Sequence, residues 1–179
     1  MIHLRPATLA DVPWFDRWDR DEDVIACSSD DADAAKAFGD TYWPDELAMQ
    51  SSVYEYFIAE LDGRPIGAMQ IIDPHLEPTH YWGEIAPQLR AIDIWIGDAV
   101  DRGKGYGEQM MRWALKRCFA DPQVSAVVID PLASNHRAIR FYQGRLGFVP
   151  VGRRMFDEDD CLVHELTRER WSRWHTGRG

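Results

Sequence analysis

The stretch Arg102-Gly103-Lys104-Gly105-Tyr106-Gly107 holds the densest chemistry in the chain. Glycines at alternate positions let successive backbone N–H groups converge on an anion without interference from Cβ atoms. An amphipathic segment opening with Glu108, Gln109 and Met110 follows, so the loop leads into a helix from Gly105 to Phe119 whose N-terminal partial charge favours the same anion. A diphosphate suits such a cradle, with Arg102 and Lys104 offsetting the negative field of the chain. A plain helix-entry turn has the same composition. Spacing excludes two other readings. No Lys-Ser/Thr pair follows the last glycine, as a P-loop requires, and the loop falls mid-chain after a hairpin, unlike a dinucleotide fingerprint in a first βαβ unit.

Two carboxylates stand out beside it. Asp93 interrupts the apolar run Ile92, Ile94, Trp95, Ile96, where a charge needs a partner, such as Arg90 or the backbone, or a task. Asp130 ends the apolar run from Ala126 just before Pro131, as a turn cap or as a second functional carboxylate. Tyr142 is either a core aromatic beside Phe141 and Phe148 or a phenolic proton donor. Asn135, following Ser134, fits a helix N-cap and leaves room for a second role. No cysteine or serine stands beside a base, so no covalent enzyme intermediate is expected. Cys27, Cys118 and Cys161 are scattered and form no Cys-x-x-Cys pair, which argues against a disulfide framework and a metal site.

The elements that must position these groups follow from patterning. Ile2 to Pro6 alternates as a strand, and Thr8 with Asp11 signals a helix start before Val12, Phe15 and Trp18. Asp19 to Gln50 has mixed polarity and reads as one or two short helices and loops. Asp62-Gly63 between two β-rich runs, Val53 to Leu61 and Pro65 to Ile72, predicts a tight hairpin. Arg90 to Gly97, the glycine loop, its helix and Ala126 to Asp130 form a β-loop-α-β unit, which favours parallel pairing. A helix over 135–146 and strands at Phe148 to Arg153 and Cys161 to Thr167 complete the chain, joined by the acidic turn Asp157 to Asp160. Pro150 marks an edge or bulged strand. The organisation is a single domain over 1–167 with a charged tail, 168–179, expected to fray.

Bulk properties narrow the function. The formal net charge of −10 repels phosphate backbones and attracts a cationic small molecule, so no nucleic-acid partner is expected. No apolar run approaches the roughly 18 residues of a membrane span. A soluble cytoplasmic protein, monomer or homodimer, is the expectation.

The Arg102 to Gly107 pattern, paired with the downstream run Asn135 to Phe148, resembles the signature of the GNAT superfamily of acyl-CoA-dependent N-acyltransferases. Over Val53 to Arg153 the runs Ile92-Asp93, Arg102 to Gly107, Asp130-Pro131 and Ser134 to Tyr142 are similar to those of aminoglycoside 6'-N-acetyltransferases. The resemblance implies an α/β fold with a mixed, strongly twisted sheet, helices on both faces and a splayed parallel strand pair. It implies acetyl-CoA as cofactor, its pyrophosphate on Arg102, Gly103, Lys104, Gly105, Tyr106 and Gly107, its pantetheine arm at Asn135, and its thioester along the backbone of Ile94, Trp95 and Ile96. Tyr142 is then the acid that protonates the leaving thiolate. Asp93 is the base or ammonium anchor, and Asp130 a second anchor for a small cationic amine. Tyr81, Trp82 and Glu84, with Trp43, are acceptor-site candidates because loops flanking the hairpin reach the cleft mouth. The chain departs from those enzymes at Ala26-Cys27, where a tryptophan pair is usual, and at Thr79-His80, where an acidic residue is usual. Siderophore-type hydroxylysine acyltransferases share stretches like Ile96-Gly97-Asp98 and Val127 to Pro131 but carry histidine in place of Asp93. Acetylation of a protein N-terminus and an acyl-CoA-sensing module without catalysis are the other readings.

Overall fold

The computed structural model describes residues 1–176. A seven-stranded mixed sheet runs in the order β1-β2-β3-β4-β5-β7-β6. The first four strands are β1 (His3–Pro6), β2 (Tyr54–Leu61), β3 (Arg64–Ile72) and β4 (Leu89–Ile96), and the last three are β5 (Ala126–Ile129), β6 (Val149–Phe156) and β7 (Asp159–Thr167). Only the β4–β5 pair is parallel. The β2–β3 hairpin turns on Asp62 (φ 52°) and Gly63 (φ 79°), the two positive φ angles that an Asp-Gly turn supplies.

Helices cover both faces because β4 alternates. Ile92, Ile94 and Ile96 face α4 (Tyr106–Ala120), whose Met110, Met111, Ala114 and Leu115 are fully buried, together with α5 (His136–Leu146). Ala91 and Trp95 face the opposite way, and there Trp95 packs with Phe15 and Trp18 of α1 (Val12–Trp18) and Trp43 of α3 (Trp43–Ala48). The Thr8–Asp11 signal caps a 3-10 turn over Leu9–Asp11 that leads into α1: the Thr8 N–H and hydroxyl donate to Asp11 at 2.8 and 3.1 Å, and α1 itself begins at Val12 with a proline in its first turn. The stretch without periodicity holds α2 (Glu22–Ser28), capped by the Asp21 carboxylate, and α3, with an irregular strap over 29–42 between them.

Gly97 closes β4 against α1. A Cβ there would lie 1.9 Å from the Trp18 indole nitrogen, so only glycine allows this contact.

Two expectations are corrected. The β6–β7 turn is shorter than the acidic run, since Phe156 pairs with Asp159 and Met155 with Asp160, leaving Asp157 and Glu158 to turn. Asp159 and Asp160 are not solvated tip residues: Asp159 accepts from Ser29 and Asp30, and Asp160 from Arg153. Nor does the segment after Thr167 fray. Arg168–Thr176 forms α6, with Trp171 stacked on Phe119 at 5.7 Å and the Arg168 guanidinium donating to the carbonyls of Phe119, Asp121 and Val124. The remainder of the predicted tail, 177–179, lies outside the described residues. Pro150 does sit on an edge strand at a register shift. No helix among the described residues is long and apolar enough to cross a membrane.

Candidate active site

Parallel pairing between β4 and β5 lasts three residues, from Leu89–Ala126 to Ala91–Val128, and then stops. Beyond it the strands diverge, and their C-terminal ends, carrying Asp93 and Asp130, flank a cleft of about 2100 Å³. α2, the 29–42 strap, the glycine loop, α5 and the β6–β7 turn form its walls. The cleft thus opens where a sheet of this topology binds ligands, outside the carboxyl ends of its parallel strands.

One wall is an anion cradle. Gly103 (φ 74°) and Gly105 (φ 81°) both adopt the left-handed conformation, with open space where a side chain would project. Among the described residues no carbonyl accepts from the N–H groups of Gly103, Lys104, Gly105, Tyr106 or Gly107; the first bond of this turn is Gln109 to Gly105 at 3.3 Å. Five successive donors at the head of a helix of this length suit a diphosphate such as that of coenzyme A. Arg102 does not share in this. Its guanidinium is spent on the Ile96 and Gly97 carbonyls and on Asp21 and Asp23, which ties α2 to the end of β4. Its side chain fastens the loop and its backbone lines the cleft. Lys104 is exposed, outside the cleft lining, with its charge felt by Asp101.

The carboxylates lie toward the other wall. Asp93 is half-buried and, among the described residues, makes no hydrogen bond or ion pair; Arg90 binds Asp73 and Asp121 instead. Burial first, and the charge of Asp130 second, push Asp93 up to about 7. Asp130 is also raised, chiefly by burial, and is pulled back by the Tyr81 hydroxyl, which donates to it at 2.7 Å. Tyr142 lines the same cleft with its hydroxyl unpartnered, and burial followed by the fields of Asp93 and Asp130 keeps it protonated. Its ring packs edge-on to Phe148 at 5.9 Å, so the core role and the cleft role coexist.

Other predicted residues divide. Asn135 lines the cleft and caps α5 by accepting from Ala138 N–H at 3.0 Å, which leaves its amide NH2 free. Ile94, Trp95 and Ile96 all line the cleft, the two isoleucines on the α4 side, while Trp95 packs in the opposite core. Trp82 and Trp43 are buried core residues whose edges reach the cleft. Glu84 is exposed and outside it. Sequence reasoning missed Glu77, a buried carboxylate near the cleft mouth that accepts from Thr79 N–H and Oγ1 and from Tyr81 N–H. The Pro78-Thr79 turn after it was its one local signal.

This sheet, split after three parallel pairs with a cradle on one lip and carboxylates on the other, has the architecture of an acyl-CoA-dependent acyltransferase. The acetyltransferase (GNAT) domain family matches residues 7–156, and the chain belongs to that family. It is 35% identical over 133 residues to an aminoglycoside N(6')-acetyltransferase type 1 of Klebsiella pneumoniae, covering 74% of this chain and 65% of that protein. It is 33% identical over 99 residues to a kanamycin resistance protein of Rhizobium radiobacter, covering 55% and 91%. The crystal structure of aminoglycoside acetyltransferase AAC(6')-Ib with coenzyme A and kanamycin superposes with a TM-score of 0.79 at 28% identity, covering 98% of this chain and 99% of that one.

Proposed function

We propose that this chain transfers an acetyl group from acetyl-CoA to a primary amine of a polycationic, aminoglycoside-type acceptor, with the 6'-amino group as the reacting position. One observation carries the reading: two carboxylates, one of them without a partner among the described residues, face an anion cradle across a single cleft. Such a cleft holds a diphosphate at one end and ammonium groups at the other. The similarity to aminoglycoside acetyltransferases, one of them crystallised with kanamycin, and to a kanamycin resistance protein supports the choice of acceptor.

Acetyl-CoA supplies the activated acyl group as a thioester. Gly103 to Gly107 hold its pyrophosphate through backbone N–H groups, the free NH2 of Asn135 meets its pantetheine arm, and the β4 backbone over Ile94 to Ile96 orients the thioester. Asp130 anchors the ammonium groups of the acceptor. Asp93 takes one proton from the reacting ammonium, directly or through one water, which frees the lone pair for attack. As the new C–N bond forms and the C–S bond breaks, Tyr142 gives its proton to the departing sulfur and regains one from the acylated nitrogen. A phenol held protonated by burial is suited to that donation.

A thiol-release assay tests the proposal, with acetyl-CoA offered alongside kanamycin, spermidine, hydroxylysine or a short peptide. Turnover with kanamycin is expected. Turnover confined to hydroxylysine or the peptide would reassign the acceptor, and coenzyme A binding without turnover on any amine would make the chain a sensor. Tyr142→Phe should lower kcat by about 10²–10³ and leave coenzyme A affinity unchanged.

A further inference from the structure

We propose that Tyr81 acts through its hydroxyl as a positioning residue, holding the Asp130 carboxylate at the acceptor side of the cleft. In its activity arm the inference rests on the acetyl-transfer reading above.

Tyr81 is clamped from two directions. One face of its ring stacks on Phe156 of β6, centroid to centroid 4.5 Å at 9°. Phe156 is in turn covered by the Arg154 guanidinium at 4.5 Å, and Arg154 Nη1 donates to the Trp82 carbonyl at 2.8 Å. Arg154, Phe156 and Tyr81 thus form a three-layer stack built from the end of β6. From the other direction the buried Glu77 carboxylate gathers the Tyr81 N–H and both donors of Thr79, so the turn before Tyr81 is fixed as well. A ring held this firmly aims its hydroxyl at one place, the Asp130 Oδ2 atom at 2.7 Å.

The groups facing Asp130 are Tyr81, Asp93, Tyr142, Arg154, Asp159 and Cys161. Among them the Tyr81 hydroxyl is the side-chain donor, and Arg154 the cation, that favour the ionised carboxylate, with a backbone hydrogen bond adding to them; among the described residues Asp93 has none of these. Two close carboxylates cannot easily both ionise, and the one that receives a hydrogen bond keeps its charge. Tyr81 thereby divides the labour of the pair. Asp130 stays an anion able to anchor an ammonium group, and the shared proton falls to Asp93, the group that must exchange protons.

Tyr81→Phe keeps the ring and its stack and removes only the hydroxyl. Carboxyl ¹³C NMR titration of the free protein should show the Asp130 midpoint rising by about one pH unit in this variant. The KM for kanamycin should rise about tenfold, with the KM for acetyl-CoA unchanged. Phe156→Leu, which loosens the stack but keeps the hydroxyl, should move both quantities the same way by less. An Asp130 midpoint unmoved by Tyr81→Phe overturns the inference, as does an unchanged kanamycin KM in a protein that acetylates kanamycin, since a stacking ring would survive the substitution. If the unsubstituted protein does not turn over kanamycin, the acceptor reading falls; the titration then decides by itself, a raised midpoint supporting the role of Tyr81 and an unmoved one refuting it.

Discussion

The charge of Asp93 works against the fold, and in the proposed function that same group exchanges the proton. Its carboxyl is raised to about 7, so between the ordinary carboxylate range and that value the folded protein binds a proton that the unfolded chain does not. Its contribution to stability is therefore greatest in acid and falls as pH rises through that window. Asp93→Asn should stabilise the protein by roughly 1–3 kcal/mol at pH about 8, with the gain vanishing near pH about 4, as read by urea unfolding at the two pH values. The same variant should lose about 10²–10³ in kcat/KM and flatten the acidic limb of the rate profile. That Asp93 and Tyr142 line the cleft accords with their standing out in the sequence, because a charge inside an apolar run and a tyrosine inside a family motif are local signals. Arg102 was misread for the complementary reason. A cation beside a glycine loop looks like an anion ligand until the fold brings up Asp21 and Asp23, which are remote in sequence. The bond from Tyr81 to Asp130 is long-range in the same way, and Glu84, a candidate because loops flanking the hairpin reach the cleft mouth, lies on such a loop but outside the cleft.

At the scale of elements, the strap over 29–42 lines one wall of the cleft, and it is pinned at both ends. At its start Asp30 accepts from Ser134 Oγ at 3.1 Å and Asp160 N–H at 3.0 Å, while Asp159 accepts from Ser29 Oγ and Asp30 N–H at 2.9 and 2.7 Å. Toward its end the fully buried Asp19 accepts from Phe38 N–H and Trp43 Nε1 at 2.9 and 3.1 Å. Asp30→Ala should loosen the first pin only, removing the bonds from Ser134 and Asp160 and keeping the two to Asp159. Faster amide exchange is expected over 29–35, with α4 unaffected, together with a rise of about fivefold in acceptor KM; uniform loss of protection would instead mean a folding defect. Strands, the Asp-Gly hairpin and the long helices were readable from periodicity and turn chemistry. The strap was not, because its order comes from side chains capping backbone across the molecule, which leaves no repeating pattern.

For the molecule as a whole, the acidic balance suits a cationic acceptor, while the cradle presents neutral N–H donors that need no excess of basic residues to meet a diphosphate. The fold extends past the segment that patterning assigned to it. Charged residues made 168–176 look like a tail, yet Arg168 serves three carbonyls and Trp171 covers Phe119, so α6 belongs to the core. Truncation after Thr167 should cost about 2–4 kcal/mol in urea unfolding, since it uncovers an aromatic face and removes the donor of those carbonyls. The short seam between β4 and β5 has a different consequence. Past Ala91 and Val128 the sheet carries an edge in its interior, where unpaired peptide groups face a slot and not open solvent. An edge so placed can be completed by one slender, amide-bearing filament and by nothing bulkier, so the narrow partner is chosen inside the slot and the broad one at its mouth.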